Sequence, residues 1–372
     1  MREKRRKIAF IGSRGIPALH GGFETFAEEL TKEIKKNTDF DILVVGDKIQ
    51  KQQTNNLLSF NEIEIKYSKF SKQKQPFLFY LDSLFLSWKA DVIYSCGCGN
   101  AFFLFVPILF QKAYITNPDG VGWERLKWSN FGKKVLKLMF YLSAKLSPYI
   151  LADSKGIEKV FREKFKRKKR IETIEYGANL NEAVGQESDK INAILDKYNL
   201  KKREYHLVVS RLEPENNVDI IIGGYKKSDA KYPLVIVGNL QETNYINLLR
   251  ASQSEEVIFL NGIYDKYELS VVRANAFSYF HGHAVGGTNP SLLEAMASKN
   301  LCICHKNEFN KAVVGANGLY FKSEEEIAKI ITKIEAADFS NMKEGVYELI
   351  KRHYNWEIIG ERYIAYFNKI IK

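Results

Sequence analysis

Residues 7–34 read KIAFIGSRGIPALHGGFETFAEELTKEI, and this stretch decides the fold. Lys7–Ile11 is the short apolar run of a buried strand. A loop follows through Gly12, Gly15, Gly21 and Gly22. Beyond it Phe23, Phe26, Ala27, Leu30 and Ile34 recur at the i, i+3, i+4, i+7, i+11 spacing of one helical face. A buried strand, a glycine-rich loop and an amphipathic helix in that order predict a parallel sheet covered by helices.

The rhythm continues outward. Further strands are expected at 41–45, 63–67, 91–95, 113–116, 149–152 and 171–174. Residues 181–203 are polar and free of strand patterns, so the domain junction is placed there. A second series is expected at 206–210, 234–237, 257–260, 276–280 and 301–304, with helices between, one of them over 290–298. A chain of 372 residues suits two domains of ~150–200 residues each. The expectation is therefore α/β, with two Rossmann-like domains facing across a cleft. They span 1–185 and 186–355, and residues 356–372 form a helix packing back on the first. Ligands of such sheets bind at the carboxyl ends of the strands.

Charge is unevenly shared. Residues 1–180 hold 32 lysines and arginines against 19 acids, and the remainder holds 24 against 25, so the first half carries the whole excess of +12. That points to an anionic partner for the first half. The basic residues match no nucleic-acid-binding motif, so no nucleic acid is expected as partner. Residues 132–147 interleave Lys133, Lys134, Lys137 and Lys145 with apolar side chains, and 161–170 holds seven basic residues. These form either an interfacial face or an ordinary amphipathic surface. The run 101–110 is about half the ~20 residues that span a bilayer, and is read as a buried core helix. No secretory signal is visible, so a cytoplasmic or membrane-peripheral protein is expected. Cys96, Cys98, Cys302 and Cys304 form two C-x-C pairs in apolar strands and are read as reduced, buried thiols rather than zinc ligands.

Four segments offer chemistry. The loop 12–22 lacks the dinucleotide and P-loop spacings, yet its backbone N–H groups at a helix start suit an anion. A tight turn would read the same, but Gly21-Gly22 allows close backbone approach by a ligand. Asn117-Pro-Asp119-Gly120 follows a strand, and Asp119 is placed to accept a proton from a hydroxyl or to position it, although Pro-Asp-Gly is also a common turn. Ser210-Arg211-Leu-Glu-Pro-Glu-Asn216-Asn217 puts a forked guanidinium at a strand end, where it would bridge a diphosphate or simply pair on the surface. The most distinctive stretch is His281-Gly-His283-Ala-Val-Gly286-Gly287-Thr288-Asn289-Pro290, followed one turn into a helix by Glu294. Pro290 suits a first helical turn, the loop N–H groups suit a phosphate, and Glu294 can reach a ribose diol. His281 and His283 have no third ligand nearby, so no metal is expected.

The segments IGSRGIPALHGGFETFAEEL, NPDG, ADS, SRLEPENN and HGHAVGGTNPSLLEAMA span residues 11–297. On them the chain resembles the retaining GT-B glycosyltransferases of family 4, and more narrowly their bacterial rhamnosyltransferase-like branch of capsule and cell-wall polysaccharide synthesis. The resemblance implies that the second domain binds a nucleotide diphosphate sugar and the first its acceptor. It implies that Arg211 stabilises the leaving diphosphate and Glu294, second acid of the family's E-x7-E motif, contacts the ribose. Gly286, Gly287 and Thr288 would touch phosphate or sugar, with His283 and Asn289 beside them. Gly12, Arg14, Gly15, Gly21 and Gly22 match the loop that closes over the donor, and Asp119 falls where a polar residue faces the reacting sugar. Two positions depart from the pattern: Gly286 replaces the first acid of E-x7-E, and Asn216 the usual lysine. Both fit a 6-deoxy sugar, which needs fewer polar contacts. The expected reaction takes L-rhamnose from dTDP-L-rhamnose to an undecaprenyl-diphosphate-linked saccharide at the inner face of the membrane. It proceeds with retention and needs neither metal nor cofactor. UDP-hexoses and UDP-N-acetylhexosamines as donors, and a non-catalytic sugar-nucleotide-binding or nucleic-acid-binding protein, remain alternatives.

Overall fold

The computed structural model describes residues 5–19, 21–118, 120–124 and 129–371. The chain divides into two compact units. Of the described residues, the first holds those up to Gly177 together with 356–371, and the second runs over Ala178–Asn355. The change of unit therefore comes eight residues before the expected 185/186 junction.

In the first unit the strands are β1 (Lys7–Ile11), β2 (Asp41–Gly46), β3 (Ser59–Phe60), β4 (Ile63–Tyr67), β5 (Val92–Cys96), β6 (Ala113–Asn117), β7 (Tyr149–Ala152) and β8 (Ile171–Thr173). They form one sheet in the order β3-β4-β2-β1-β5-β6-β7-β8, parallel except for β3. Two-residue β3 lies at the edge and carries too little pattern to be read from sequence. The helices are α1 (Gly22–Asn37), α2 (Lys48–Gln53), α3 (Pro76–Leu86), α4 (Phe105–Leu109), α5 (Asn130–Leu146) and α6 (Lys155–Glu163).

Alternate residues of β1 feed two cores. Ala9 and Ile11 meet Leu84 of α3 and Phe103 on one face. Phe10 faces the other, where its ring lies 5.1 Å from Tyr94 and 6.3 Å from Phe367 of the last helix, α15 (Trp356–Ile371). α15 packs against α1. Phe26 of α1 sits 5.7 Å from Tyr363, and the Tyr94 and Tyr363 hydroxyls are 3.3 Å apart.

The run 101–110 is not the buried helix expected. It divides into a 3-10 turn at Ala101–Phe103 and the short α4. Ala101, Phe103, Leu104 and Pro107 point inward, while Phe102, Phe105, Ile108, Leu109 and Phe110 are exposed. The run is apolar all round, but the sheet can cover only one side of it. Among the described residues no helix is long and apolar enough to cross a membrane.

The second unit has strands β9 (His206–Val209), β10 (Leu234–Gly238), β11 (Val257–Asn261), β12 (Ser278–His281), β13 (Leu301–His305) and β14 (Leu319–Phe321), in the parallel order β11-β10-β9-β12-β13-β14. Three-residue β14, at the edge, was not legible beforehand. Its helices are α7 (Asp189–Lys197), α8 (Val218–Lys226), α9 (Asn244–Arg250), α10 (Lys266–Ala274), α11 (Pro290–Ala297), α12 (Glu308–Val314), α13 (Glu324–Ala336) and α14 (Ser340–Leu349). Ile221 and Ile222 of α8 and Ile327 and Ile331 of α13 join the strand residues Val208, Ile236 and Phe280 in one core. All four cysteines are free and buried, and burial pushes the Cys302 thiol up to about 12.

Candidate active site

Both sheets change winding direction once. In the second, β9 is flanked by β10 on one side and β12 on the other, so the loops leaving β9 and β12 bracket a switch point. Open parallel sheets bind ligands at such a point. These loops carry the segments 210–217 and 281–294, and the structure laces them together. The Ala284 N–H donates to the Glu215 carbonyl at 3.0 Å, and Asn217 Nδ2 donates to the Gly282 carbonyl at 2.7 Å. A Cβ on Gly282 would lie 2.0 Å from the Asn216 carbonyl oxygen, so this close approach requires glycine.

Arg211 is exposed, and its Nη1 lies 3.6 Å from Glu213 Oε1. An exposed pair at that distance holds the guanidinium weakly, leaving it available to a stronger anion. Asn216 differs from expectation. It is 1% exposed, and its Nδ2 donates to the Arg211 carbonyl at 2.7 Å. Its amide supports the backbone that displays Arg211 and is not presented to a ligand.

The second loop ends in α11, where Asn289 caps the helix by accepting from the Ser291 N–H at 3.0 Å. The Ser291 hydroxyl donates to the Val209 carbonyl at 2.9 Å, tying α11 to the end of β9. Thr288 is buried, while Gly286 and Gly287 are half-buried. The His283 carbonyl accepts from Asn307 Nδ2 at 2.9 Å and Asn310 Nδ2 at 3.1 Å. The His283 ring stacks on His281, centroids 4.3 Å apart and planes within 7°. His281 is buried, and neither of its ring nitrogens has a partner among the described residues. Burial, with a smaller contribution from His305, lowers its pKa to about 3, so the ring is neutral.

Glu294 projects from α11 half-exposed, and its Oε2 pairs with Arg273 Nη2 at 2.7 Å. Arg273 is buried, and its Nε has no partner among the described residues. A guanidinium inside the fold thus fixes the carboxylate from behind. Arg273, Gly282, Asn307 and Asn310 were missed in the sequence. Asn307 had a signal, because it precedes a helix that it caps. Arg273 had none beyond its place in a helical run.

In the first unit the loop 12–22 leaves β1 beside the switch point between β1 and β5. Gly12, Gly15 and Gly21 have φ of 85°, 119° and 107°, and a Cβ on Gly12 would lie 2.6 Å from the Cys96 carbonyl oxygen. The loop departs from the expected anion cradle. The Arg14 N–H donates to Glu24 Oε1 at 2.7 Å and the Ala18 N–H to Glu28 Oε2 at 2.6 Å. Buried carboxylates from the first turns of α1 already take those donors and complement the helix dipole. Gly22 opens α1 exposed, and the Arg14 side chain is half-buried. Asp119 lies outside the described residues. Its neighbour Asn117 is buried and donates from Nδ2 to the Tyr94 hydroxyl at 2.7 Å.

Residues 190–348 match the family described as Glycosyl transferases group 1. Residues 5–76 and 88–179 match a domain of unknown function, DUF1972. An uncharacterized glycosyltransferase of Methanocaldococcus jannaschii is 25% identical, over 98% of this chain and 100% of its own. Among solved structures, sucrose-phosphate synthase of Thermosynechococcus elongatus superposes with a TM-score of 0.83 at 14% identity, covering 98% of this chain and 99% of that one. Anabaena HepE in complex with UDP-glucose gives 0.78 at 15% identity, with coverage of 98% and 99%. At these identities the structural likeness concerns the fold.

Proposed function

We propose that this chain, a glycosyltransferase of the GT-B type, transfers L-rhamnose from dTDP-L-rhamnose to a hydroxyl of a lipid-linked saccharide, with retention. The carrying observation is Gly286. Its φ is not left-handed, and a Cβ there would meet nothing within 4 Å. Neither backbone nor space demands glycine, so the missing acid is a matter of chemistry. A site without that carboxylate suits a sugar without a 6-hydroxyl.

Transfer breaks the bond between the anomeric carbon and the diphosphate oxygen, which leaves with the electron pair. The acceptor oxygen bonds to the same face, and its proton passes to the departing phosphate. Arg211 and the N–H groups of residues 286–289 stabilise the charge that builds on the diphosphate. Glu294, steadied by Arg273, takes the ribose hydroxyls. Fixed cations serve where a metal otherwise would, so turnover is expected to persist in excess chelator.

The acceptor is assigned to the first unit on charge. A membrane-borne diphosphate-linked saccharide is anionic, as is the inner membrane surface, and both complement residues 1–180. A UDP-hexose is the second reading, favoured by the fold shared with the UDP-glucose complex of HepE. The test is a donor panel reading nucleoside diphosphate release with a lipid-linked acceptor. Release of dTDP from dTDP-rhamnose is expected. Preference for UDP-glucose, UDP-galactose or a UDP-N-acetylhexosamine would replace the rhamnose reading, and turnover of no donor would remove the enzyme reading.

A further inference from the structure

The first unit leaves an apolar surface uncovered on the sheet face that carries α3. Phe77, Leu78 and Phe85 of α3 are exposed, as are five large side chains of the run 102–110, with Leu109 at 74%. The two segments lie side by side. The Phe77 ring sits 4.6 Å from Phe103 near their starts, and Trp88 sits 5.3 Å from Phe110 just past their ends. The patch is therefore continuous, and scattered single exposures do not explain it. It extends further, because α5 packs against the 3-10 turn at Ala101–Phe103. On α5, Phe131 is 75% exposed, and Leu138, Tyr141 and Leu146 are exposed too.

Charge identifies the partner. Residues 69–118 contain five lysines and two acids. Both acids are engaged within the fold: Asp82 accepts from the Ser68 hydroxyl at 2.7 Å and the Lys69 N–H at 3.0 Å, and Asp91 accepts from the Lys7 N–H at 2.6 Å. α5 adds Lys133, Lys134, Lys137 and Lys145 and no acid. Behind its end a groove of about 400 Å³ is lined by Lys145, Lys166, Lys168, Lys169 and Arg170. Arg167 shapes this groove, donating to the Ala144 and Pro148 carbonyls at 3.1 Å each. An apolar face whose α3 and α5 rims are rich in lysine matches an anionic bilayer, where aromatic side chains enter the headgroup–acyl boundary and lysines meet lipid phosphates. A second copy of the chain would bring two basic faces together, which is unfavourable.

We propose that the α3–α4 surface, continued by α5, seats this protein on an anionic phospholipid bilayer. The proposal rests on the reading that the acceptor is membrane-borne and adds the surface that meets the membrane. The test is co-sedimentation of the full chain with phosphatidylcholine vesicles, with and without phosphatidylglycerol. Wild type should bind the anionic vesicles only. The triple variant Phe105→Ser, Leu109→Ser, Phe110→Ser should bind them roughly tenfold or more weakly. These side chains are exposed, so an unchanged melting curve is expected and confirms folding. Independently, a polarity-sensitive fluorophore on Leu109→Cys should brighten when vesicles are added, and the four buried native cysteines keep the labelling selective. Wild-type binding by the triple variant, or a fluorophore indifferent to vesicles, overturns the proposal. So does a wild-type dimer that the triple variant dissociates, which would assign the face to a second copy. No donor or acceptor is present, so failure of the transfer reading leaves this result standing. Failure of the wild type to bind anionic vesicles, with nucleotide release intact, overturns the surface and leaves the transfer reading standing.

Discussion

The guanidinium of Arg273 stands 2.7 Å from the carboxylate of Glu294, the first buried and the second half-exposed. Breaking the pair from either side should have different costs. Glu294→Ala leaves a buried guanidinium without its partner and should lower stability by about 1–3 kcal/mol, below the range for a fully buried pair because the acid is half-exposed. Arg273→Met replaces a buried charge by apolar volume and should cost less. Both should raise the KM for the donor by about tenfold with little change in kcat, since the carboxylate acts in binding. Urea denaturation and steady-state kinetics read the two effects separately. A drop in kcat at unchanged KM would show that Glu294 does not serve donor binding.

Two glycines of one loop should respond unequally to a methyl group. Gly282→Ala puts a Cβ 2.0 Å from the Asn216 carbonyl oxygen, on the loop that presents Arg211. It should destabilise the second unit by about 1–3 kcal/mol and reduce kcat/KM as Arg211 is displaced. Gly286→Ala meets nothing and should leave the urea midpoint within about 0.5 kcal/mol of wild type. Equal effects at the two positions would count against this account of the loop.

This contrast shows where the sequence was legible. The loops 210–217 and 281–294 could be placed at strand ends because the apolar runs before them are continuous and Pro290 marks a helix start. That the loops are laced together could not be read, since Asn216 and Gly282 are 66 residues apart and meet only through the sheet order. The engaged N–H groups of Arg14 and Ala18 were hidden for a similar reason. Glu24 and Glu28 look like ordinary helix-face acids until the loop folds back onto them. Residues 101–110 misled because apolar composition says nothing about how much covering surface is nearby. Edge strands β3 and β14 are too short to show a period.

Arg211 is exposed, so its loss should reach chemistry and spare the fold. Arg211→Ala should lower kcat about 100-fold or more, the scale seen when a donor to a developing anion is removed. Arg211→Lys keeps the charge but not the planar fork and should recover only part of the rate. Single-turnover kinetics with a saturating donor would check this. A loss confined to KM would move Arg211 from stabilising the leaving group to holding the ground state.

His281 should make the fold acid-sensitive. Its ring is buried and stacked on His283, with His305 the other titratable group acting on it. Its pKa falls from an ordinary 6.5 to about 3. Above pH 6.5 the ring is neutral in folded and unfolded chains alike and contributes no pH dependence. Below that, the unfolded chain binds a proton that the folded chain refuses, so stability falls as pH drops from 6.5 towards 3. Between pH 7.5 and 5 this should cost about 2 kcal/mol. His281→Phe keeps a flat ring against His283 and removes the titration. Whatever its absolute stability, it should lose about 2 kcal/mol less than wild type over that interval, with the carboxylate contributions common to both. Urea unfolding at the two pH values gives the difference directly. Parallel losses in the two proteins would mean that the folded chain accepts the proton, and that His281 finds a partner for it in the loop beside Glu294.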